Sequence, residues 1–215
     1  MPIIDISRPL HTRIPVWPGD TPFALQPTLT IDGGAAVNLT TLTLSAHTGT
    51  HADAPDHFAD EGATLEQLDP AIYWGPAQVV TVHKLAGPLL PADFAHVDLG
   101  RAPRLLVRSA ASDADPAQFL RAIVYPSPEL ADFLGRHGIL LYGSDAASMD
   151  HVESKDLPGH HALHRNGIAI LEGLDLRFAP DGVYELAALP LKIVGGDGSP
   201  VRAVLRTIDD AGKAK

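Results

Sequence analysis

The chain has 215 residues, a formal net charge of −10, no cysteine and 45% hydrophobic residues. This length suits one domain with a sizeable core, so residues 1–215 are expected to form a single domain. The acidic balance argues against nucleic acid as a partner, because phosphate binding needs clustered Lys and Arg. No run approaches the roughly 18 apolar residues of a membrane span, and the first residues show no signal-like pattern. A cytoplasmic protein with neither a membrane nor a nucleic-acid partner is therefore expected.

Stretches rich in Val, Ile, Leu and Thr alternate with Gly, Pro and Asp along the chain, and this pattern predicts many strands. The predicted strands are Thr40–Ala46, Ala77–His83, Arg104–Arg108, Ile139–Tyr142, Ile168–Leu171, Leu191–Val194 and Val201–Ile208. Because helices look fewer, the sequence indicates an α/β (α+β mixed) fold with a large sheet and no linker that would divide it.

Helix signals occur at three places. Thr64–Gln67 has a capping-box pattern, and Pro91–His96 would form a second short helix. The clearest helix has Ser127 as N-cap, Pro128 as its first residue and Gly138 as its stop. Its predicted buried residues are Leu130, Phe133 and Leu134.

Three histidines and an aspartate lie within one short segment, residues 45–58. They are His47, His51, Asp53 and His57. Imidazole nitrogen and carboxylate oxygen are the ligands that zinc and its neighbours prefer when thiolate is absent. A lone histidine would more simply be explained as a surface residue, but this cluster indicates a metal site.

The spacing of these four residues excludes one regular element. On a helix, about 100° per residue would place the first two and the last two on roughly opposite sides. On a strand, at about 3.3 Å per residue, the first and last would lie some 33 Å apart. Since Gly49 can adopt a left-handed conformation and Pro55 interrupts helices and sheets, we predict a strand that ends near Ser45 and curls into a ligand-bearing loop.

A second polar cluster lies downstream, where Glu172 interrupts an apolar run. Buried carboxylates are costly unless they are paired or bind a cation, so Glu172 is a candidate ligand. The alternative is that it faces solvent on an edge strand. A histidine among His160, His161 and His164 could complete one or two metal positions. Asp53 and Glu172 each offer two oxygens and could bridge two ions about 3.5–4 Å apart.

Residues 47–58 resemble the signature of the cyclase-type metal-dependent hydrolases, and the resemblance spans almost the whole chain. The other matching segments are residues 5–7, 17–20, 143–150, 154–161, 170–174 and 190–203. Within this family the chain is most similar to the bacterial kynurenine formamidases. The resemblance implies a cyclase-like fold with a central barrel-like sheet flanked by short helices, and a homodimer. The apolar stretch 71–74 would suit the dimer interface.

The resemblance also implies roles for individual residues. The implied metal ligands are His47, His51, Asp53, His160 and Glu172, with the two carboxylates shared between two ions. His160 is preferred over His161 because its interval to Glu172 matches the family's pattern. His57 would be the catalytic acid/base. Trp17 would stack on an aromatic substrate, the alternative being an indole packed in the core.

The implied function is hydrolysis of N-formyl-L-kynurenine to L-kynurenine and formate in tryptophan breakdown. The cofactor would be Zn²⁺, two ions per subunit, with Mn²⁺ or Co²⁺ as substitutes. Zinc lowers the pKa of bound water to about 7, and His57 would pass the water's proton to the leaving nitrogen. Two alternatives stay open: a family hydrolase for another amide or an isatin-like lactam, and a non-catalytic metal-binding protein on the same scaffold.

Overall fold

The computed structural model describes residues 2–208. The strands are β1 (Ile3–Asp5), β2 (Ala24–Leu29), β3 (Leu39–Thr43), β4 (His51–Asp53), β5 (Trp74–Thr81), β6 (Gly87–Leu89), β7 (Arg104–Arg108), β8 (Val124–Pro126), β9 (Leu141–Ser144), β10 (Ala169–Glu172), β11 (Gly182–Ala187), β12 (Gly198–Pro200) and β13 (Val204–Thr207). The α-helices are α1 (Pro128–Arg136) and α2 (Pro158–Arg165). Short 3₁₀ helices span Pro55–His57, Leu65–Gln67, Pro70–Tyr73, Pro91–Phe94, Leu99–Arg101 and Ala110–Asp113.

In the part of the chain that the structure describes, nine strands form one sheet in the order β1-β13-β11-β5-β7-β9-β10-β4-β12. The sheet curls into a half-barrel. Its centre, β5-β7-β9-β10, is parallel, and both flanks are antiparallel. Strands β2 and β3 form a separate hairpin, and β6 pairs with β8. This architecture confirms the mixed α/β fold with a barrel-like sheet. None of the helices within residues 2–208 is long and apolar enough to cross a membrane.

The central strands are apolar on both faces because each face of the sheet packs against its own core. Val80 of β5 and Leu105 of β7 lie in the core that also contains α1 and α2. Their neighbours Val79 and Leu106 lie in the other core, with Tyr73. This alternation follows the two-residue period of a strand. It explains why the central strands are continuous apolar runs in the sequence.

Helix α1 confirms the predicted signals. Ser127 Oγ accepts a hydrogen bond from Leu130 N at 3.1 Å, so the N-cap is as expected. Leu130 and Leu134 are fully buried, and Phe133 packs partly buried beside them. The helix ends at Arg136, just before Gly138, which has a φ of +74°.

Other predictions need correction. The short helices expected at Thr64–Gln67 and Pro91–His96 are 3₁₀ helices that end by residues 67 and 94. Most predicted strands appear with shifted ends, but residues 191–194 form an irregular loop and turn. Their apolar side chains are largely exposed, since Leu191 and Val194 are 62% and 82% accessible. The apolar pattern there does not reflect burial in a sheet, and the strand prediction was wrong.

Candidate metal centre

Two adjacent strands place three of the expected ligands on one face of the sheet. Glu172 of β10 pairs directly with His51 of β4, and Asp53 follows His51 by two residues. Side chains two residues apart point the same way, as do direct cross-strand partners. Ala52 and Leu171 point to the opposite face and pack in the core there. His51, Asp53 and Glu172 are each less than 5% exposed, so the prediction that Glu172 lies buried at the end of a core strand is confirmed.

The segment around these residues differs in part from the predicted loop. A turn follows β3, and Gly49 has the expected positive φ, +72°. His47 lies in this turn, but His51–Asp53 form a strand, so the loop prediction was wrong for them. Strand β4 pairs with β10 on one side and β12 on the other. These distant partners stabilise an element that the local sequence does not reveal.

Helix α2 brings a histidine to the same cluster. His160 Nε2 lies 3.3 Å from Glu172 Oε1 and 3.7 Å from Asp53 Oδ2, and the His160 side chain is 4% exposed. His161 and His164 are exposed and lie against the ring of Phe58. The structure therefore brings His160, rather than His161, to the cluster.

Within residues 2–208, three groups of side chains present donor atoms that lie within 4.8 Å of one another. They are His47–His51–Asp53, Asp53–His160–Glu172 and His47–His57–Asp197. The first two share Asp53 and contain the five residues expected as ligands. The third adds Asp197, which the sequence did not single out.

The first two groups fit a divalent metal ion. Among the residues that the structure describes, His51 Nε2, Asp53 Oδ2 and Glu172 Oε1 are buried without a hydrogen-bond partner. Buried polar atoms in this state are costly, and a cation would satisfy them. His51 Nδ1 donates to the carbonyl oxygen of Gly49 at 3.0 Å, which directs Nε2 towards the cluster. Nitrogen and oxygen donors without thiolate suit zinc and related ions.

The close approach of acids and imidazoles shifts their pKa values. Burial lowers the pKa of His51, but Asp53 and Glu172 outweigh it and raise the pKa to about 10. Burial also lowers the pKa of His160, but hydrogen bonds to Asp150 and Glu172 outweigh it and raise the pKa to about 10. Burial raises the pKa of Asp53, yet the neighbouring histidines bring it well below its usual range. The site thus favours positive charge, which a metal ion would also supply.

His57 has a different environment at the open side of the cluster. Its side chain is 35% exposed, and Nδ1 lies 3.7 Å from Asp197 Oδ2. Its ring centroid is 3.9 Å from that of His47. Burial is the largest influence and lowers the pKa of His57. This lowering of the pKa favours the neutral ring, which is the form that can accept a proton.

Asp197 is the residue that sequence reasoning missed. Its Oδ2 lies 3.2 Å from His47 Nε2, and its carbonyl oxygen accepts a hydrogen bond from Ala54 N at 2.8 Å. A Cβ on the following Gly198 would lie 2.7 Å from His47 Cε1, so only glycine lets the backbone pass this close. An acid between two glycines, at 196–198, was the available signal.

A cavity of about 480 Å³ opens above the donor atoms. This volume lies within the roughly 300–1,000 Å³ typical of small-molecule sites. The apolar lining includes Ile14, Val16, Trp17, Phe119, Leu120 and Ile123. Trp17 is 38% exposed and meets Phe119 edge to face, with ring centroids 5.4 Å apart. Trp17 is thus a wall of the cavity rather than a core residue, and Phe119 is a second aromatic wall that the sequence did not indicate.

The curled sheet, the donor groups and the cavity above them are those of a metal-dependent hydrolase. The chain belongs to the Cyclase family, whose model, described as "Putative cyclase", matches residues 4–151. The kynurenine formamidase of Geobacillus thermodenitrificans (strain NG80-2) is 47% identical over 207 residues, covering 95% of this chain and 97% of that relative. The family predicted from the sequence is therefore confirmed.

Solved structures agree with this assignment. One described as a potential metal-dependent hydrolase with cyclase activity is 28% identical, with a TM-score of 0.81 and coverage of 95% of this chain and 96% of that one. Isatin hydrolase A from Labrenzia aggregata, bound to benzyl benzoate, is 26% identical, with a TM-score of 0.84 and coverage of 95% and 93%. The half-barrel fold is thus shared with a hydrolase described by its cyclase activity and with an isatin hydrolase.

Proposed function

We propose that this chain is an arylformamidase that hydrolyses N-formyl-L-kynurenine to L-kynurenine and formate in tryptophan breakdown. The observation that carries this proposal is the 47% identity to a kynurenine formamidase along nearly the whole of both chains. The donor groups beneath an aromatic-walled cavity supply a site suited to an aryl amide.

The proposed cofactor is Zn²⁺, two ions per subunit, held by the five expected residues. His47, His51 and Asp53 would hold one ion, and His160 the other, with Asp53 and Glu172 shared. A bound divalent ion supplies Lewis acidity, which lowers the pKa of water and polarises a carbonyl oxygen. The same nitrogen and oxygen donors would accept Mn²⁺ or Co²⁺.

His57 is the proposed acid/base. The Asp197 carboxylate near Nδ1 favours the tautomer with the proton on that nitrogen, so Nε2 is available to accept one. His57 Nε2 would take a proton from the attacking water and deliver it to the aniline nitrogen, which must leave protonated. Its lowered pKa favours the neutral ring, which is the form that accepts a proton.

Trp17 and Phe119 are proposed to hold the substrate's aryl ring. Their edge-to-face arrangement forms an apolar corner of the cavity. Aromatic pairs of this kind contribute about 0.5–1.5 kcal/mol beyond burial of their area. The substrate's aryl ring would lie in this corner while its formamide group reaches the donor atoms of the candidate metal centre.

A second candidate is an isatin-opening hydrolase, which the TM-score of 0.84 to isatin hydrolase A favours. Initial rates on N-formyl-L-kynurenine and isatin, measured on the same zinc-loaded preparation, separate the two. We expect the formamide to be the better substrate. A higher rate on isatin would assign the alternative, and metal binding with no turnover of either would favour a non-catalytic protein. Glu172→Gln protein purified in parallel controls for contaminating formamidase.

We also propose a cytoplasmic homodimer. In the stretch expected at the interface, Trp74 is 56% exposed but Tyr73 is fully buried. The β2–β3 hairpin offers more apolar surface, because Leu25 and Leu42 are cross-strand partners that are 50% and 56% exposed. Sedimentation velocity on the wild type and on Leu25→Asp/Leu42→Asp should show a dimer and a monomer, respectively.

A further inference from the structure

Asp150 is a buried carboxylate to which neither the sequence nor the proposed function assigns a role. It is 1% exposed. Its Oδ1 accepts a hydrogen bond from Gly159 N at 2.7 Å, and its Oδ2 accepts one from His160 N at 3.1 Å. The same Oδ2 lies 2.7 Å from His160 Nδ1. One side chain therefore binds both the backbone and the imidazole at the start of α2.

Helix α2 needs this outside partner because its own N-cap is poor. The residue before the helix, Leu157, has a φ of +41° and makes no side-chain cap. A left-handed conformation is unfavourable for a residue with a Cβ, and the first N–H groups of a helix have no partner within it. Asp150 accepts from two of these groups. A Cβ on Gly159 would lie 2.1 Å from Met149 O, so the first turn of α2 packs tightly against residues 149–150.

The contact with Nδ1 determines which nitrogen of His160 faces the cluster. A carboxylate oxygen accepts the hydrogen bond here, so the neutral, metal-binding form of the His160 ring carries its proton on Nδ1. Nε2 then points to Asp53 and Glu172, at 3.7 and 3.3 Å. Hydrogen bonds of this kind fix the tautomer and orientation of a metal-binding histidine. The adjacent His161 is exposed.

We infer that Asp150 is a positioning residue of the metal centre, which caps α2 and holds His160 with Nδ1 protonated so that Nε2 is the atom presented to the metal. The inference rests on the proposed function in taking His160 as a ligand of one ion. It explains why the first of two adjacent histidines serves this role.

The test is zinc affinity of the full chain, by competition with a chromophoric chelator, for the wild type and Asp150→Asn. The variant places an NH₂ group where a carboxylate oxygen accepts hydrogen bonds. We expect the dissociation constant of one ion to rise about 10- to 100-fold, the usual effect of losing such a partner, and that of the other to change little. If Asp150→Asn bound each of the two ions as tightly as the wild type does, the inference would be overturned.

Ser127→Ala is the matched control, because it removes the cap of α1, which has no expected ligand. It should lower the melting temperature and leave both zinc affinities unchanged. If it weakened zinc binding as much as Asp150→Asn does, the effect would be general destabilisation and the inference would fail.

A measurement on the wild type keeps the inference testable if Asp150→Asn does not fold. In ¹⁵N-labelled zinc-loaded protein, His160 should show a slowly exchanging, downfield Nδ1–H signal. A His160 with zinc on Nδ1 would overturn the inference. Failure of the proposed function looks different: wild-type protein that binds two zinc ions yet does not hydrolyse N-formyl-L-kynurenine rejects the substrate and leaves the role of Asp150 intact.

Discussion

The two halves of the candidate metal centre differ in origin and in exposure. The first half comes from residues 47–57: its His51 and Asp53 are buried, but His47 and His57 lie partly exposed beside Asp197 at the cavity. The second half comes from α2 and β10, and both His160 and Glu172 are less than 5% exposed. Asp150 Oδ2 lies 2.7 Å from Nδ1 of this histidine.

This difference indicates a division of labour. Enclosed donors that are held by hydrogen bonds suit the binding of an ion, because their geometry is fixed before the ion arrives. Partly exposed imidazoles with access to the cavity suit proton transfer to and from a substrate. We therefore expect changes in the buried half to cause loss of metal, and a change at His57 to cause loss of turnover with metal retained.

The largest effect is expected from Glu172→Gln. The change removes the charge of a buried carboxylate beside His51 and His160, so zinc content should fall and turnover should drop below detection. Zinc analysis and a formamidase assay measure both. Glu185→Gln is the control, because Glu185 lies on β11, away from the donor groups. There it accepts a hydrogen bond from Trp74 and forms an ion pair with Arg206. Full zinc content in Glu172→Gln would contradict the assignment.

The next effect compares two adjacent histidines. His160→Ala should lose one zinc ion and most of its activity, since Nε2 faces Asp53 and Glu172. His161→Ala should keep its zinc ions and its activity, because the His161 side chain is exposed and lies against Phe58. Zinc-to-protein ratios measured after gel filtration show which of the two variants has lost a zinc ion. The reverse pattern would show that the other histidine is the ligand.

His57→Ala tests the open half. Loss of a general acid/base should lower kcat about 10²- to 10⁴-fold. Zinc content should stay near the wild-type value, because His57 is outside the two groups that contain the expected ligands. Steady-state kinetics and zinc analysis on one preparation distinguish the roles. A parallel loss of zinc would make His57 a ligand instead.

The smallest effects are expected at the aromatic walls. Trp17→Ala and Phe119→Ala should each raise KM about 3- to 10-fold, which corresponds to roughly 0.5–1.5 kcal/mol of ring contact. Trp74→Ala is the control, since Trp74 is exposed outside the cavity and bonds Glu185. An unchanged KM in both cavity variants would place the substrate ring elsewhere.

The open half could be predicted from sequence because its side chains lie within eleven residues around two backbone breakers. Glu172 was recognisable as a carboxylate within an apolar run. The choice between His160 and His161 rested on a resemblance alone. The cap of α2 is Asp150, which lies outside the helix, so no local capping pattern indicated which histidine faces the cluster. Asp197 was missed because its position depends on the pairing of β12 with β4, which no local pattern encodes.

The most direct test is hydrolysis of N-formyl-L-kynurenine, followed by the absorbance of released kynurenine. It should be measured on protein as purified, after chelation and after zinc is restored. We expect turnover that is abolished by chelation and recovered when zinc is restored. Turnover that persists after complete removal of metal, or its absence from fully zinc-loaded protein, would contradict a metal-dependent formamidase.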